Sequence, residues 1–475
     1  RRAVPRASHE RRGRRRRLRE RRPEIAVVLI AVVGGALAAL APWWAVVGVV
    51  FGLAAVTLIV RDPLFGLLLT LALAAQAIPG AHVPNIPFGG AEIQPAEITV
   101  LLTIASTLFN GLIGRRPLSP PSIGFVAIPV LTFAALFVAF AIDSYYLGQR
   151  NFALPILRNF LPLALLPLLP TILCNRERIV VVERCLIAFG VLLALFIAVQ
   201  AFTGTALLAG RIEDLGLNRT TGITRTVLWG PELLIILAIF LIGRDGVRAN
   251  LVRVWPLAAL LILLLGLLGT YTRSFWVATA VAALLLVIFA QGLKGALRLA
   301  AVVVPLIAVL AAAVYVANPR IGDAAFARVF GITQEIESGD SFGWRGKENA
   351  MAIEAIKKSP WIGIGFDGAY KKSISTQGHF AGEETYIHNA YLYFQLKMGV
   401  FGSLILLAFL ALYLRLAGKS FAIPDARDRA NALIYVVLGV VVLLVGDSGQ
   451  TLSRFVTLLI VCLMFALMRA YAERH

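Results

Sequence analysis

Arginine and histidine residues occur at unusual places in a sequence that is otherwise mostly apolar. Arg273 lies between two apolar runs with almost no loop, Arg345 lies in a hydrophilic stretch, and His388 comes just before another apolar run. Guanidinium groups bind phosphate oxygens, often through two parallel hydrogen bonds. A single histidine is more often structural than catalytic, and His388 gains interest here only together with the arginines. The residue types predict a site for an anionic ligand.

The hydrophilic stretch covers residues 317–389. Residues 348–358 show a helical pattern, which Pro360 is expected to end. Gly363 and Gly365 then allow a tight turn. We expect the helix to pack on the outer surface of a bundle through apolar side chains at helical spacing, which are Ala352, Ile353 and Ile356.

A second polar loop, residues 210–226, is rich in Arg, Thr and Gly and contains Arg219 and Arg225. Glycine lets backbone approach a ligand closely, and arginine suits phosphate. A solvated loop without a ligand is an equally good interpretation of this composition. The loop is therefore a second candidate for anion binding.

Composition predicts the fold class. Hydrophobic residues make up 59% of the 475 residues and charged residues 15%, and the mean hydropathy is +0.83. Runs of about 17–25 apolar residues are long enough to cross a bilayer as helices. We predict an all-α polytopic membrane protein of roughly 12–14 transmembrane helices, with one large extracytoplasmic loop that carries short helices. The candidate spans are residues 24–41, 43–60, 63–79, 96–113, 123–141, 152–173, 179–201, 227–243, 254–271, 274–290, 299–316, 390–414, 431–446 and 455–470.

Basic residues predict the orientation of this bundle. Residues 1–22 form an arginine-dense tail that supplies much of the net charge of +19. If this tail is cytoplasmic, every predicted inner loop is short and basic, as the positive-inside rule requires. Several predicted outer segments carry arginines against that rule, which suggests an anionic ligand on the outer face: Arg150, Arg211, Arg219, Arg225, Arg273, Arg345 and Arg454.

The predicted organisation has four parts. They are a basic cytoplasmic tail (1–22), a transmembrane bundle (23–316), an extracytoplasmic loop (317–389) and C-terminal transmembrane helices (390–475). We interpret the tail as a disordered segment that orients the first helix and contacts anionic lipid, with no nucleic-acid partner. Spacing typical of metal ligands is absent from the three cysteines, which are Cys174, Cys185 and Cys462.

These motifs together resemble the O-antigen ligase and O-antigen polymerase superfamily, membrane glycosyltransferases of the GT-C type. The resemblance covers roughly residues 150–450. It rests on the outer loop with Arg219 and Arg225, Thr272-Arg273-Ser274, Trp344-Arg345, the element from Ser359-Pro360 to Gly363-Ile364-Gly365, and His388-Asn389 followed by Tyr391-Leu392.

The resemblance implies that a glycan carried on undecaprenyl pyrophosphate is transferred to a hydroxyl group of an acceptor. The reaction would take place on the periplasmic face of the bacterial cytoplasmic membrane, among membrane lipids. The acceptor is the lipid A core in ligases and another lipid-linked glycan in polymerases. The family implies no nucleotide sugar, metal ion or cofactor, and the sequence contains no Asp-x-Asp motif.

Simple chemistry agrees with this implication. Negative charge develops on a pyrophosphate leaving group, and fixed guanidinium groups stabilise it. We assign that role to Arg273 and Arg345, assisted by Arg219 or Arg225. His388 would be the general base that takes the proton of the acceptor hydroxyl, and direct attack on an α-linked donor would invert the anomeric centre. Three carboxylates are alternative bases: Glu383, Glu384 and Asp367.

Two other classes of function compete with this one. A transporter or flippase for lipid-linked oligosaccharides would also have many spans, but transporters usually show internal repeats and polar residues at the midplane, and no convincing repeat is visible here. A membrane scaffold with a partner-binding loop would not need outer arginines. Within the enzyme class, the sequence leaves ligase and polymerase open.

Overall fold

A computed structural model describes residues 43–78, 85–88, 91–146, 153–203, 207–208, 211–214, 224–228, 230–248, 254–317, 319, 342–372, 384–447 and 449–474. The chain divides into two compact units, residues 1–61 and residues 62–475. In the first unit the described residues form one helix, α1 (Trp43–Arg61). The first predicted span, 24–41, lies outside the described residues.

The second unit is built almost entirely of helices. Its described residues also form two small antiparallel sheets, β1 (Ile86–Phe88) with β2 (Ala91–Ile93) and β3 (Arg211–Asp214) with β4 (Thr224–Val227). The helices, in chain order, are α2 (Pro63–Ala74), α3 (Pro95–Leu112), α4 (Ile123–Tyr146), α5 (Ala153–Phe160), α6 (Leu169–Ile172), α7 (Arg176–Thr203), α8 (Glu232–Arg248), α9 (Val254–Gly269), α10 (Arg273–Ala317), α11 (Phe342–Lys358), α12 (Ala390–Phe421), α13 (Ala426–Gly446) and α14 (Phe455–Ala472).

Six of the described helices are long and apolar enough to cross a membrane: α3, α4, α7, α12, α13 and α14. Shorter apolar helices accompany them, among them α2 and most of α9. The prediction of an all-α polytopic membrane protein is confirmed. Which helix ends face the cytoplasm, and how many spans the whole chain has, stay predictions.

Two predicted divisions of the chain are wrong. Residues 152–173, predicted as one span, form α5, a 3₁₀ turn (Leu161–Leu165) and the short α6, because prolines such as Pro162 remove backbone donors and interrupt a helix. Residues 274–290 and 299–316, predicted as two spans, lie in the single 45-residue helix α10. At about 1.5 Å per residue, α10 is longer than the roughly 30 Å hydrocarbon core of a bilayer. No proline lies between the two predicted spans.

Close contacts between helices show which helix ends lie together. Asn389 at the start of α12 donates to Asp447 at the end of α13. Gly230, just before α8, lies against Thr457 of α14, and Gly269 at the end of α9 lies against Ile197 of α7. We call this end of the bundle the His388 end. It contains the C-termini of α4, α7, α9 and α13 and the N-termini of α8, α10, α12 and α14.

The opposite end, which we call the Arg469 end, is held by a buried carboxylate. Glu183 of α7 accepts hydrogen bonds from Tyr435 of α13 (2.8 Å) and Tyr471 of α14 (2.7 Å). It also pairs with Arg244 of α8 at 2.9 Å. One side chain therefore joins four helices, and the core of the bundle lies between the two ends, with α13 and α14 the most enclosed of the six candidate spans.

Glycines let the backbone of the hydrophilic segment pack closely against the His388 end. Gly363 and Gly365 have φ values of +74° and +76°, and Gly399, where α12 is kinked, has φ +59°. The backbones meet directly, since Ile364 N donates to Leu396 O at 2.9 Å. The predicted tight turn is confirmed, and it docks on a membrane helix.

Helix α11 begins six residues earlier than its predicted pattern, at Phe342. Ala352 is fully buried and Ile356 packs against the core, as predicted, but Ile353 is 42% exposed. The prediction for Ile353 is wrong because α11 buries a narrower face than the apolar spacing suggests.

We predict that Gly363→Ala destabilises the protein. A Cβ atom at this position would come within 2.7 Å of the backbone nitrogen of Gly399, and the positive φ alone costs an ordinary residue about 1–2 kcal/mol. Gly418→Ala is the matched control, because a Cβ atom there meets nothing within 4 Å and alanine favours a helix. Thermal unfolding in detergent should show a lower midpoint for Gly363→Ala only, and equal midpoints would contradict the docking.

Candidate functional site

A buried carboxylate lies at the centre of the His388 end. The side chain of Glu348, on α11, is fully buried. One of its oxygens pairs with the ammonium group of Lys371, which is also fully buried. The other accepts the backbone N–H of His388 at 3.0 Å and lies 2.9 Å from Nδ1 of its ring. Glu348 therefore joins α11, the segment after it and the residue that precedes α12.

The charges around Glu348 keep it ionised. Burial opposes the charged form, but His388 and Lys371 outweigh it and hold the pKa of Glu348 below its ordinary value. An ionised carboxylate only accepts hydrogen bonds, so Nδ1 of His388 carries the hydrogen. In the neutral ring Nε2 is then the basic nitrogen. The same arrangement fixes the tautomer of the histidine in serine hydrolases.

Asn389 sets the position of His388 relative to the membrane helices. Its side-chain oxygen accepts the backbone N–H groups of Tyr391 and Leu392 at 2.9 and 3.0 Å and so caps α12. Its amide donates to Asp447 at 2.7 Å. An asparagine at this position satisfies otherwise unpaired N–H groups of the first helical turn. The His388-Asn389 pair thus combines a reactive ring with the cap that holds it in place.

Two arginines interact with Tyr386, whose ring contacts the ring of His388. The rings of Tyr386 and His388 meet edge to face, with centroids 4.8 Å apart. Arg454, the residue that precedes α14, hydrogen-bonds to Tyr386, and Arg345 of α11 lies near enough to act on it electrostatically. Burial raises the pKa of Tyr386, and the two arginines partly offset this rise. A cationic region therefore adjoins the imidazole.

The remaining predicted arginines, Arg273, Arg225 and Arg219, lie in different parts of the chain. Arg273 begins α10 at the His388 end, after a turn in which Tyr271 has φ +47°. Arg225 lies in β4, paired in register with Glu213 of β3, and β4 contacts α7. Arg219 lies outside the described residues. The roles of all three on a ligand stay predictions.

The alternative bases also differ in their surroundings. Glu383 lies outside the described residues, and Glu384 is exposed. Asp367 is partly buried beside Lys397 and Asp143, and burial raises its pKa. Asp143 accepts the backbone N–H groups of Phe366 and Asp367 at 3.0 and 3.2 Å.

Lys397 completes this second buried cluster. Its side chain, on α12, donates to Gly368 O at 2.9 Å and lies near both Asp143 and Asp367. The cluster fixes the segment after Gly365 onto α4 and α12. We therefore interpret Asp367 as a structural residue, and its alternative role as a base stays a prediction.

Sequence reasoning did not assign four residues that the structure brings to the site: Glu348, Lys371, Tyr386 and Arg454. Arg454 carried a signal, because it is one of the arginines that run against the charge bias. Glu348 appeared only as the start of a helical pattern. Among the described residues, no group of three or more His, Cys, Asp or Glu could hold a metal ion.

We predict that Glu348→Gln destabilises the protein near neutral pH. The substitution leaves the buried Lys371 without its counter-charge, and breaking such a pair costs about 3–5 kcal/mol. Because the folded pKa of Glu348 is lowered from 4.5, its contribution is complete above about pH 4.5 and disappears as the pH falls through the folded pKa. The difference in unfolding midpoint between wild type and Glu348→Gln should therefore shrink in acid.

Glu354→Gln is the control for this substitution, because Glu354 lies on the same helix and is exposed. Its unfolding midpoint should stay close to that of the wild type at every pH. A Glu348→Gln protein as stable as Glu354→Gln at neutral pH would show that Glu348 is not the ionised partner described above.

One known family matches the part of the chain that contains most of the residues described above. The family described as O-antigen ligase matches residues 258–407. That range contains Arg273, Arg345, Glu348, Lys371 and His388, whereas Arg454 lies beyond it. A comparison with curated proteins finds no match. This match supports a function as a membrane enzyme of the glycosyltransferase type in O-antigen or polysaccharide assembly. The match over residues 258–407 confirms the predicted resemblance to the O-antigen ligase and polymerase superfamily.

Proposed function

We propose that this protein transfers a glycan from undecaprenyl pyrophosphate to a hydroxyl group of an acceptor at the His388 end of its membrane bundle. A bond forms between the acceptor oxygen and the anomeric carbon. The bond from that carbon to the pyrophosphate oxygen breaks, and undecaprenyl pyrophosphate leaves. The acceptor proton passes to the enzyme. The observation that carries the proposal is the 2.9 Å contact between Nδ1 of His388 and the buried Glu348.

This contact prepares His388 to act as the general base. With Nδ1 protonated and facing Glu348, Nε2 can take the proton of the acceptor hydroxyl. The imidazolium that forms is then stabilised by a full negative charge in a buried environment, where charge interactions are stronger than in water. Glu348 is a positioning residue in this scheme, since it acts through His388.

The arginines beside Tyr386 suit the leaving group. Arg345 and Arg454 both act on Tyr386 electrostatically, and the ring of Tyr386 contacts His388. We therefore place both guanidinium groups beside the ligand. Charge that develops on pyrophosphate oxygens is stabilised by donors held in place before the reaction. We propose that Arg345 and Arg454 bind the pyrophosphate, with Arg273 and the loop that contains Arg219 and Arg225 completing the site.

Charge supports an orientation with the His388 end outside the cytoplasmic membrane. The Arg469 end contains Arg244 and Arg469. It also contains the first turn of α13, which follows a short connection from α12 and carries Arg427 and Arg429. Short basic connections face the cytoplasm. The pyrophosphate of a donor in the outer leaflet would then lie at the level of the His388 end.

Reconstitution in liposomes with an undecaprenyl pyrophosphate glycan tests the proposal directly. Chain elongation by donor alone would identify a polymerase, and a product that needs an added lipid A core would identify a ligase. Movement of the donor between leaflets without any new glycosidic bond would overturn the proposal and favour a transporter.

We predict that His388→Ala lowers kcat about 100- to 10,000-fold, the usual contribution of a general base. Glu384→Gln, which changes an exposed alternative base nearby, should leave kcat close to that of the wild type. Initial rates of glycan transfer measure both. If Glu384→Gln lowered the rate of transfer and His388→Ala did not, Glu384 would be identified as the general base.

We predict that Arg454→Gln lowers kcat about 100- to 1,000-fold, as the loss of one fixed donor to a developing anion does. Tyr386→Phe removes the hydrogen bond to Arg454 but keeps both guanidinium groups, and it should retain most of the activity. Arg427→Gln is the matched control, because Arg427 is exposed on α13 at the opposite end. If Tyr386→Phe loses as much activity as Arg454→Gln, Arg454 acts through the tyrosine and not on the donor.

A further inference from the structure

A cavity of about 250 Å³ opens at the Arg469 end, away from the proposed active site. It lies between the start of α7, the short α6 and the last turn of α14. Its polar lining includes Ser119, Cys174, Arg469, Glu473 and Arg474. A smaller adjoining cavity shares Arg469 and Glu473 and adds the basic residues Arg415 and Lys419. The region is therefore strongly cationic, with one carboxylate.

The two arginines of the larger cavity are held in fixed positions. Arg469 donates to Pro120 O at 3.1 Å and to Glu473 at 2.7 Å, and its guanidinium lies 5.2 Å from the ring centre of Phe125. The guanidinium of Arg474 lies 5.1 Å from the ring centre of Tyr471. Stacking on an aromatic ring fixes the plane of a guanidinium and leaves its edge available for hydrogen bonds.

Each of these arginines has a buried nitrogen that lacks a protein partner. Nη1 of Arg469 and Nη2 of Arg474 make no hydrogen bond within the described part of the chain. Buried charged donors without protein acceptors are costly, and an acceptor from outside the protein can satisfy them. Two such donors in one cavity, with a single carboxylate that already pairs with Arg469, favour an anion with several oxygen atoms.

The position of the cavity indicates the source of the anion that it would bind. Helix α14 starts after Arg454 and spans 18 residues, about 27 Å at 1.5 Å per residue. That length nearly equals the hydrocarbon thickness of a bilayer, roughly 30 Å. Arg469 and Arg474, at the far end of α14, therefore lie at the level of lipid headgroups, where basic pockets bind phosphate groups.

We propose that this cavity is a binding site for a phosphate group, supplied by an anionic phospholipid of the leaflet opposite the proposed active site. The guanidinium groups of Arg469 and Arg474, which both line the cavity, hold the phosphate oxygens. A lipid bound at this site contacts both the end of α14 and the segment before α7. It stands independently of the proposed glycan transfer, because none of its residues contributes to the His388 end.

Lipid binding to the purified full chain tests this site. The protein in detergent is titrated with phosphatidylglycerol, and bound lipid is counted by native mass spectrometry. A second arm uses inorganic phosphate and follows the thermal unfolding midpoint. We expect Arg474→Gln to bind phosphatidylglycerol about tenfold more weakly than wild type, whereas Arg427→Gln, which changes an exposed arginine at the same end, binds it normally.

Arg474→Lys keeps the charge and should retain part of the binding, which separates loss of charge from misfolding. A midpoint raised by inorganic phosphate in wild type but not in Arg474→Gln would support the phosphate site and identify free phosphate as its source. Equal binding of phosphatidylglycerol and of phosphate by wild type, Arg474→Gln and Arg427→Gln would overturn the proposal.

Discussion

The His388 end depends on one constraint, which is that a fully buried carboxylate must receive hydrogen bonds and positive charge at both of its oxygens. Glu348 meets this requirement only when Lys371 and His388 both reach it. Those residues belong to three segments of the chain, and Glu348 is the side chain that contacts both of the others through its charge. The contacts that stabilise the buried charge of Glu348 therefore also position the imidazole of His388. Stability and reactivity depend on the same contacts.

A second set of contacts makes the polar segment part of the membrane bundle. The left-handed glycines Gly363 and Gly399 let two backbones meet, and Asp143 accepts two N–H groups of the same segment. Backbone contacts of this kind leave little freedom for residues 359–371 to move as a separate lid. Any opening that admits a lipid-linked donor must then come from elsewhere in the His388 end.

The sequence was a good guide to the helices and to the residues with unusual charge. Apolar length predicted the class and most helix positions, and positive-φ glycines were recognised at Gly363 and Gly365. It failed at residues 152–173, where prolines interrupt a long apolar run, and at α10, where polar residues without proline do not break a helix. Glu348 could not be recognised, because its importance comes from contacts with residues 23 and 40 positions away.

Arg454 has a consequence for the time at which the protein becomes active. It precedes α14, so it emerges from the ribosome after Arg345, Glu348 and His388 have already been made. A chain interrupted before this point holds the base but lacks one of the two cations beside it. In our scheme the pair of cations beside the base is therefore complete only after α14, the last described helix, has been synthesised.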